Sequence, residues 1–238
     1  MSNEYNIPRA LLSTNSKLEK SVTGFMILGL QMAPHKLSGY NVCANASAGC
    51  ASACLFTAGR GAYSNVKKGR INRTIYFFKA RLKFLAQLDE EVARAERKAK
   101  KNSVKLAMRL NTISDIPWEK IKVRDGQTIF ELYPNVTFYD YSKSVVRALL
   151  HAQGQMPVNY HLTFSRSEEN EELCENVLAN GGNVAVVFAG KILPKQWKGY
   201  EVVNGDQSDA RFLDKKNCVV GLVAKGEGRY DESGFVVK

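Results

Sequence analysis

Six short apolar runs in the last two-thirds of the chain constrain its fold more than any other feature. Each run has the length of one strand and ends in a cluster of polar residues, and helical stretches at 144–152 and 168–180 separate several of them. The runs span residues 104–110, 136–139, 160–164, 183–188, 201–203 and 219–224. An alternation of strand, polar tip and helix is typical of a parallel sheet with crossover helices.

An earlier apolar run, FMILGLQMA, adds a seventh candidate strand, and a long helical pattern follows it. Between residues 73 and 101 the apolar positions recur at helical spacing and predict one buried face that includes Phe77, Leu82 and Leu85. Seven strands are too few for a complete eight-fold barrel. The sequence therefore predicts an α/β fold, specifically a partial (open) parallel β/α barrel with an N-terminal cysteine-rich segment.

Length and composition fit a single globular domain. The 238 residues are 45% apolar and 24% charged, which is ordinary for a folded chain. We expect one α/β domain over residues 1–238, with a lead and the cysteine motif in 1–65 and a β/α body in 66–238. No apolar run is long enough to span a bilayer, and the first residues lack a secretory signal, so we expect no membrane partner and a cytoplasmic location.

Three of the five cysteines lie close together in NVCANASAGCASACLF, at Cys43, Cys50 and Cys54. Clustered thiols in a reducing compartment favour metal binding over disulfides. The four-residue step from Cys50 to Cys54 predicts both sulfurs on one face of a helical turn. Three thiolates suit an iron–sulfur cluster with an open iron, or a zinc ion that takes a fourth ligand such as His35. The isolated Cys174 and Cys218 are predicted to be small core residues.

The polar tips of the strands provide a second set of candidate site residues. In a parallel sheet the carboxyl ends of the strands meet at one edge, where ligands bind. Acidic tips suit a ribose hydroxyl, a metal or a proton, whereas basic tips suit a carboxylate or a phosphate. The predicted substrate- or cofactor-binding residues are Arg109, Asn111, Asp115, Asp140, Lys143, Ser165, Arg166, Asp206 and Asp209.

The net charge of +11 favours anionic partners, either nucleic acid or a small nucleotide-like ligand. The basic sequence RAERKAKKN at the end of the long helical pattern fits a nucleic-acid contact or a solvated helix end whose cations complement the helix dipole. The chain contains no GxGxxG, GxxxxGK[ST], GxSxG or HExxH motif, so dinucleotide-binding, P-loop, serine-hydrolase and metalloprotease functions have no motif support.

Several runs together resemble a known family. The cysteine motif, RLNTISDIPWE, VTFYDYSKS and NYHLTFSRSEEN are similar to bacteriophage proteins of the "gene product 88" group. In that group a cysteine motif precedes an Arg-x-x-x-x-Gly-Asp-like element and a Tyr-Thr-Arg/Lys-like element, which correspond here to 109–115 and 141–143. The group in turn resembles relatives of radical S-adenosylmethionine proteins, which implies a partial barrel, a [4Fe–4S] cluster and S-adenosylmethionine as a cofactor in the cytoplasm of a phage host. Their usual cysteine spacing is C-x3-C-x2-C, whereas this chain has C-x6-C-x3-C.

Two functions from different classes follow from the sequence. The first is an iron–sulfur protein on a partial barrel, with a radical-type enzyme as its most specific form. The second is a phage nucleic-acid-binding or host-modulating protein in which zinc or an iron–sulfur cluster is structural.

Overall fold

The structure is a computed structural model. It describes residues 5–14, 18 and 22–238. The remaining parts of the predicted N-terminal lead, at 1–4, 15–17 and 19–21, lie outside the described residues.

Strands and helices are named here in chain order within the described residues. The strands are β1 (Leu12–Ser13), β2 (Phe25–Leu30), β3 (Lys105–Arg109), β4 (Lys122–Arg124), β5 (Gln127–Thr128), β6 (Thr137–Ser142), β7 (Tyr160–Ser165), β8 (Asn183–Phe188), β9 (Gln196–Trp197), β10 (Tyr200–Asn204) and β11 (Val219–Val223). The helices are α1 (Ala48–Ser52), α2 (Ser64–Lys79), α3 (Arg81–Lys101), α4 (Ile129–Leu132), α5 (Val145–Ala152) and α6 (Glu171–Ala179). Short 3-10 turns occur at Leu55–Thr57, Gly59–Ala62, Trp118–Lys120, Arg211–Leu213 and Gly226–Tyr230.

Nine of these strands form one sheet in the order β1-β2-β3-β6-β7-β8-β11-β10-β9. The pairings from β2 through to β10 are all parallel, and only the edge strands β1 and β9 run antiparallel to their neighbours. Each of the seven predicted strands is present in the parallel part of the sheet. The α/β class and the parallel sheet are thereby confirmed, while curvature into an open barrel stays a prediction.

Both faces of the parallel strands are covered, which explains why these strands are apolar runs without strict alternation. In β8, Val184 and Val186 pack on one face against Cys174 of α6, whereas Ala185 packs on the other face against Cys218. Both of these cysteines are fully buried, as predicted. The largest cluster lies under α2 and α3 and joins them to the first strands of the sheet.

The long helical pattern is divided into two helices at Ala80, whose φ of −137° and ψ of 54° leave the helical region. The prediction of one helix from residue 73 to 101 is therefore wrong in its start and its continuity. Because the break resets the helical register, Leu82 is 83% exposed, although the single-helix pattern placed it on the buried face. Phe77 and Leu85 are buried as predicted.

None of the helices in the described part of the chain combines the length and the apolar character that a membrane crossing requires.

Phe77 joins the two helices to the rest of the core. Its ring lies 5.1 Å from the ring of Phe84 and 5.6 Å from that of Trp118, measured between centroids. We expect Phe77→Ala to lower the free energy of unfolding by about 3–5 kcal/mol, because it removes buried ring contacts and leaves a cavity. Leu82→Ala, at the exposed position in the next helix, should change it by less than about 0.5 kcal/mol in the same urea titration. Equal losses in the two variants would contradict the break at Ala80.

Candidate functional site

A cavity of about 420 Å³ lies at the carboxyl edge of the parallel sheet. Its wall is formed by residues that follow β3, β6, β7 and β11 and, on the other side, by the cysteine-bearing segment after β2. Cys43, Cys50 and Cys54 all line this cavity and are each partly buried. The fold thus places the two candidate groups from the sequence, the thiols and the strand tips, around one space.

Cys43 lies in the loop that leads from β2 to α1. The backbone N–H of His35 donates to the Cys43 sulfur at 3.3 Å, and the loop is tied to the one after β3 by a hydrogen bond from the Asp115 N–H to the Val42 carbonyl at 2.8 Å. His35 also lines the cavity and has a positive φ of 48°. The first thiol is therefore held against the tip of β3, one of the sheet's central strands.

Cys50 and Cys54 do not share a helical turn. Helix α1 begins after its N-cap Ser47, whose hydroxyl accepts from the Cys50 N–H, and ends at Ser52, so Cys54 lies beyond the helix in an extended conformation with a ψ of 132°. The prediction that one helical turn carries both sulfurs is wrong, because the helix ends at Ser52, two residues before Cys54. The two thiols reach the same cavity from two consecutive segments instead.

Glu168 anchors α1 to the sheet. One carboxylate oxygen accepts from the Gly49 N–H at 2.7 Å, and the other accepts from the Ser47 hydroxyl at 2.7 Å. A Cβ at Gly49 would lie 2.8 Å from both carboxylate oxygens, so a larger residue at this position would displace the Glu168 side chain. Sequence reasoning missed Glu168 as a site residue, because its position after β7 gave no indication of a partner 119 positions earlier in the chain.

The Cys43 sulfur accepts a hydrogen bond from the His35 backbone N–H. The Lys143 ammonium group acts electrostatically on Cys50, and the Phe56 backbone polarises Cys54. Burial is the main cause that raises the pKa of each thiol, to about 12 for Cys43, while these neighbours act in the opposite direction. The polar neighbours favour the thiolate form, and burial opposes it.

The thiols do not form a closed ligand set as they stand. Over residues 5–14, 18 and 22–238, no group of three His, Cys, Asp or Glu side chains is close enough to hold a metal ion.

Six of the nine predicted strand-tip residues line the cavity together with the cysteines. These six are Arg109, Asn111, Asp115, Lys143, Ser165 and Asp206. They come from the ends of four different strands, β3, β6, β7 and β10, and parallel topology accounts for their convergence. Their role in ligand binding stays a prediction.

The other three, Asp140, Arg166 and Asp209, lie behind the cavity wall. Asp140 is fully buried and accepts from the Asn111 N–H at 2.7 Å; burial raises its pKa to about 7 against the effect of that bond. Asp209 is buried against Arg109, with both oxygens 3.0 Å from one guanidinium nitrogen. Arg166 donates to the Phe235 carbonyl at 2.9 Å and so fixes the C-terminal segment. All three hold other parts of the wall in place.

Lys143 is a partly buried cation that lines the cavity. Its amine donates to the Arg166 carbonyl at 2.9 Å and to the Ser165 hydroxyl at 3.3 Å. Burial lowers the pKa of Lys143, and the neighbouring Cys50 and Asp115 offset part of that effect. Its ammonium group therefore links the strand tips to the thiol of Cys50.

A family model described as "Gene product 88" matches residues 9–238, which include every candidate site residue. The chain belongs to the gene product 88 family. The resemblance to this phage family is thereby confirmed, whereas the more distant likeness to radical S-adenosylmethionine proteins stays a prediction. No curated protein and no solved structure matches the chain.

A second residue that sequence reasoning missed in this family member is Arg147. Its guanidinium is buried and forms ion pairs with Asp115 at 2.6 Å and with Glu119 at 2.9 Å, and it also donates to the Tyr160 hydroxyl at 2.9 Å. These partners raise its pKa although burial alone would lower it. Arg147 thus fixes Asp115 at the cavity wall; a lone arginine in the apolar sequence SVVRALLHA is the signal that could have identified it.

The Glu168 anchor makes the position of α1 dependent on pH. Burial by itself raises the pKa of Glu168, but hydrogen bonds from its own backbone, from Ser47 and from Gly49 lower it overall. A depressed pKa means that the carboxylate stabilises the fold above its unfolded value of about 4.3, and that this contribution is lost as pH falls through the folded value. We expect Glu168→Gln to lower the free energy of unfolding by about 1 kcal/mol at pH 7, and the difference from wild type to shrink below about pH 4.

The matched control for this prediction is Glu169→Gln, which alters the exposed neighbour. Urea titrations at several pH values give the stability difference, and the rate at which a thiol reagent labels Cys50 reports on the anchor itself. Labelling should become faster in Glu168→Gln and remain unchanged in Glu169→Gln. Unchanged labelling in both variants would show that the carboxylate does not hold α1.

Proposed function

We propose that this family member is an iron–sulfur protein in which Cys43, Cys50 and Cys54 each bind one iron of a [4Fe–4S] cluster. The observation that carries the proposal is that three partly buried thiols line one cavity, where a backbone N–H donates to Cys43 and the Lys143 cation acts on Cys50. Hydrogen bonds to the ligating sulfurs are a general feature of iron–sulfur sites and one of the factors that set their potentials. When bound, such a cluster supplies one iron without a cysteine ligand.

Arg70 provides independent support for an anionic group beside the thiols. Its side chain is 9% exposed and interacts electrostatically with Cys54, and its Nε and Nη1 atoms have no hydrogen-bond partner among the residues that the structure describes. Only Nη2 is satisfied, by the Gln31 side chain at 2.9 Å. A buried guanidinium without a carboxylate partner is costly, and burial accordingly lowers its pKa. Three thiolates carrying a cluster would place compensating negative charge next to it.

A cluster makes a weaker demand on the spacing of the thiols than a single zinc ion does. A zinc ion holds each sulfur about 2.3 Å from one centre, which requires the ligands to be close together. The described cysteines do not form a group of that kind, alone or with His35. A cluster distributes its ligands over several irons and so accommodates sulfurs that lie further apart.

The side of the cavity opposite the thiols would receive a small ligand. Lys143 and the Lys225–Asp206 pair, whose charged atoms are 2.5 Å apart, offer cations and a carboxylate, and the Ser165 side chain offers a hydroxyl. Apolar side chains such as Leu222 and Phe235 line the remaining wall and exclude water. This mixture suits a ligand with ionised groups and an apolar body; S-adenosylmethionine and nucleotides are the ligands of this kind that we propose.

The test is iron and sulfide analysis of protein purified and reconstituted without oxygen, together with its visible absorption spectrum. We expect close to four irons and four sulfides per chain, since three thiolates and an open iron define that cluster type. Cys43→Ser, Cys50→Ser and Cys54→Ser should each lower the iron content strongly, because the hydroxyl is a poor ligand for iron in such clusters.

Cys174→Ala and Cys218→Ala serve as the matched controls, because these cysteines are buried in the core away from the cavity. Iron content per folded chain should remain unchanged in both. Stoichiometric zinc with no iron and sulfide after reconstitution would overturn the proposal, as would equal iron loss in the control variants.

Arg70 gives a second test, because its effect should differ between metal-free and loaded protein. Without the cluster, Arg70→Met removes an uncompensated buried charge and should leave the melting temperature unchanged or raise it. With the cluster bound, the same change should speed the loss of iron to a chelator, because an attractive charge next to Cys54 is gone. Lys68→Met, at an exposed position of the same helix, is the control. A lower melting temperature of the metal-free variant, or an unchanged rate of iron loss from the loaded variant, would contradict an anionic group at Arg70.

A further inference from the structure

The positive charge of the chain is concentrated in the segment that carries the cysteines. Residues 20–88 contain ten Lys and Arg and no Asp or Glu, whereas the rest of the chain carries 24 Lys and Arg against 23 Asp and Glu. The segment therefore holds ten of the eleven net charges. Such a stretch without carboxylates cannot neutralise its cations locally, and it produces a positive field beside the cavity.

Several of these cations lie where α2 and the preceding turns border the cavity. The Lys67 amine lies 5.1 Å from the centroid of the Phe56 ring, and Phe56 lines the cavity. The turn at Gly59–Ala62 packs against the turn at Leu55–Thr57, which brings Arg60 to the same border. Arg60 and Lys68 are exposed, and within the described residues neither forms an ion pair.

An exposed aromatic side chain lies among these cations. Tyr63 is 61% exposed, and no ring in the described part of the chain stacks on it. We call the patch formed by Arg60, Tyr63, Lys67 and Lys68 the basic surface.

We infer that the basic surface binds single-stranded nucleic acid and leads it past the cavity opening. Cations without carboxylate partners attract the phosphate backbone, and an exposed tyrosine offers a face on which an unpaired base can stack. This combination matches the general design of single-strand binding sites, in which a positive track is interleaved with aromatic side chains. An anionic membrane or an acidic protein would use the charges but would leave the exposed ring of Tyr63 without a specific role.

The inference does not rest on the iron–sulfur proposal, because the cations and Tyr63 are separate from the thiols. A protein with Cys43, Cys50 and Cys54 all changed to Ser should bind nucleic acid as the wild type does, provided that it folds. Loss of the cluster and loss of nucleic-acid binding are therefore distinguishable failures.

The experiment is a fluorescence anisotropy titration with labelled single-stranded DNA and RNA of about 20 nucleotides, long enough to cover one site. Binding should weaken steeply between about 50 and 200 mM salt, because bound cations release counterions from the phosphates. The double variant Lys67→Glu, Lys68→Glu should lower affinity at least about tenfold, and Tyr63→Ala should lower it about tenfold with less change in salt dependence.

The matched control is Lys98→Glu, Lys101→Glu, which makes the same change in net charge at the end of α3. That end leads into the first residue of β3, at the edge of the sheet opposite the cavity, and the change should alter affinity less than about twofold. Circular dichroism verifies that every variant is folded. An equal loss of affinity in the control variant would overturn the assignment, as would unchanged affinity in the Lys67 and Lys68 variant. It would also be overturned if the wild type did not bind the single strands at low salt, or if it bound anionic vesicles or polyglutamate more tightly than the single strands.

Discussion

The parallel arrangement of seven strands is the constraint on which the rest of this structure depends. Parallel strands place all their carboxyl ends at one edge of the sheet, and the segments that leave those ends must turn there before they cross back. Polar side chains at the turns therefore converge, although they are far apart in the chain. The cavity exists because the cysteine segment after β2 closes over this edge and contacts the tips of the later strands.

The contacts that hold the cysteine segment in place come from the later strands. Glu168, after β7, fixes α1 through Ser47 and Gly49, and Lys143, after β6, reaches Cys50 while its amine is held by the backbone after β7. Arg147 holds Asp115 from the back of the wall. A rigid frame of this kind holds the thiols in place, so that less ordering would be required for the cluster that we propose.

The sequence was sufficient to predict the sheet and the residues at its carboxyl edge. Each strand is a buried apolar run, and each tip is polar, so strand position and tip identity can be derived from the sequence pattern alone.

Other features depend on tertiary contacts that the sequence pattern does not report. The insertion of β11 between β8 and β10 follows from packing across the sheet, the break at Ala80 occurs in a sequence without Gly or Pro, and the Glu168 anchor joins residues more than a hundred positions apart. The sequence could not distinguish Asp140 and Asp209 from residues that line the cavity. A carboxylate that faces a ligand and a buried carboxylate that positions a wall residue occur in the same sequence context, near the end of a strand.

The central claim is that three thiolates hold a cluster whose fourth iron faces the cavity. Mössbauer spectroscopy of protein reconstituted with isotopically enriched iron tests this most directly, because it distinguishes irons by their ligands. The account predicts a cubane spectrum in which one iron differs from the other three and changes further when S-adenosylmethionine or a nucleotide is added. A spectrum with four equivalent irons, or with isolated ferrous ions and no cluster, would contradict it.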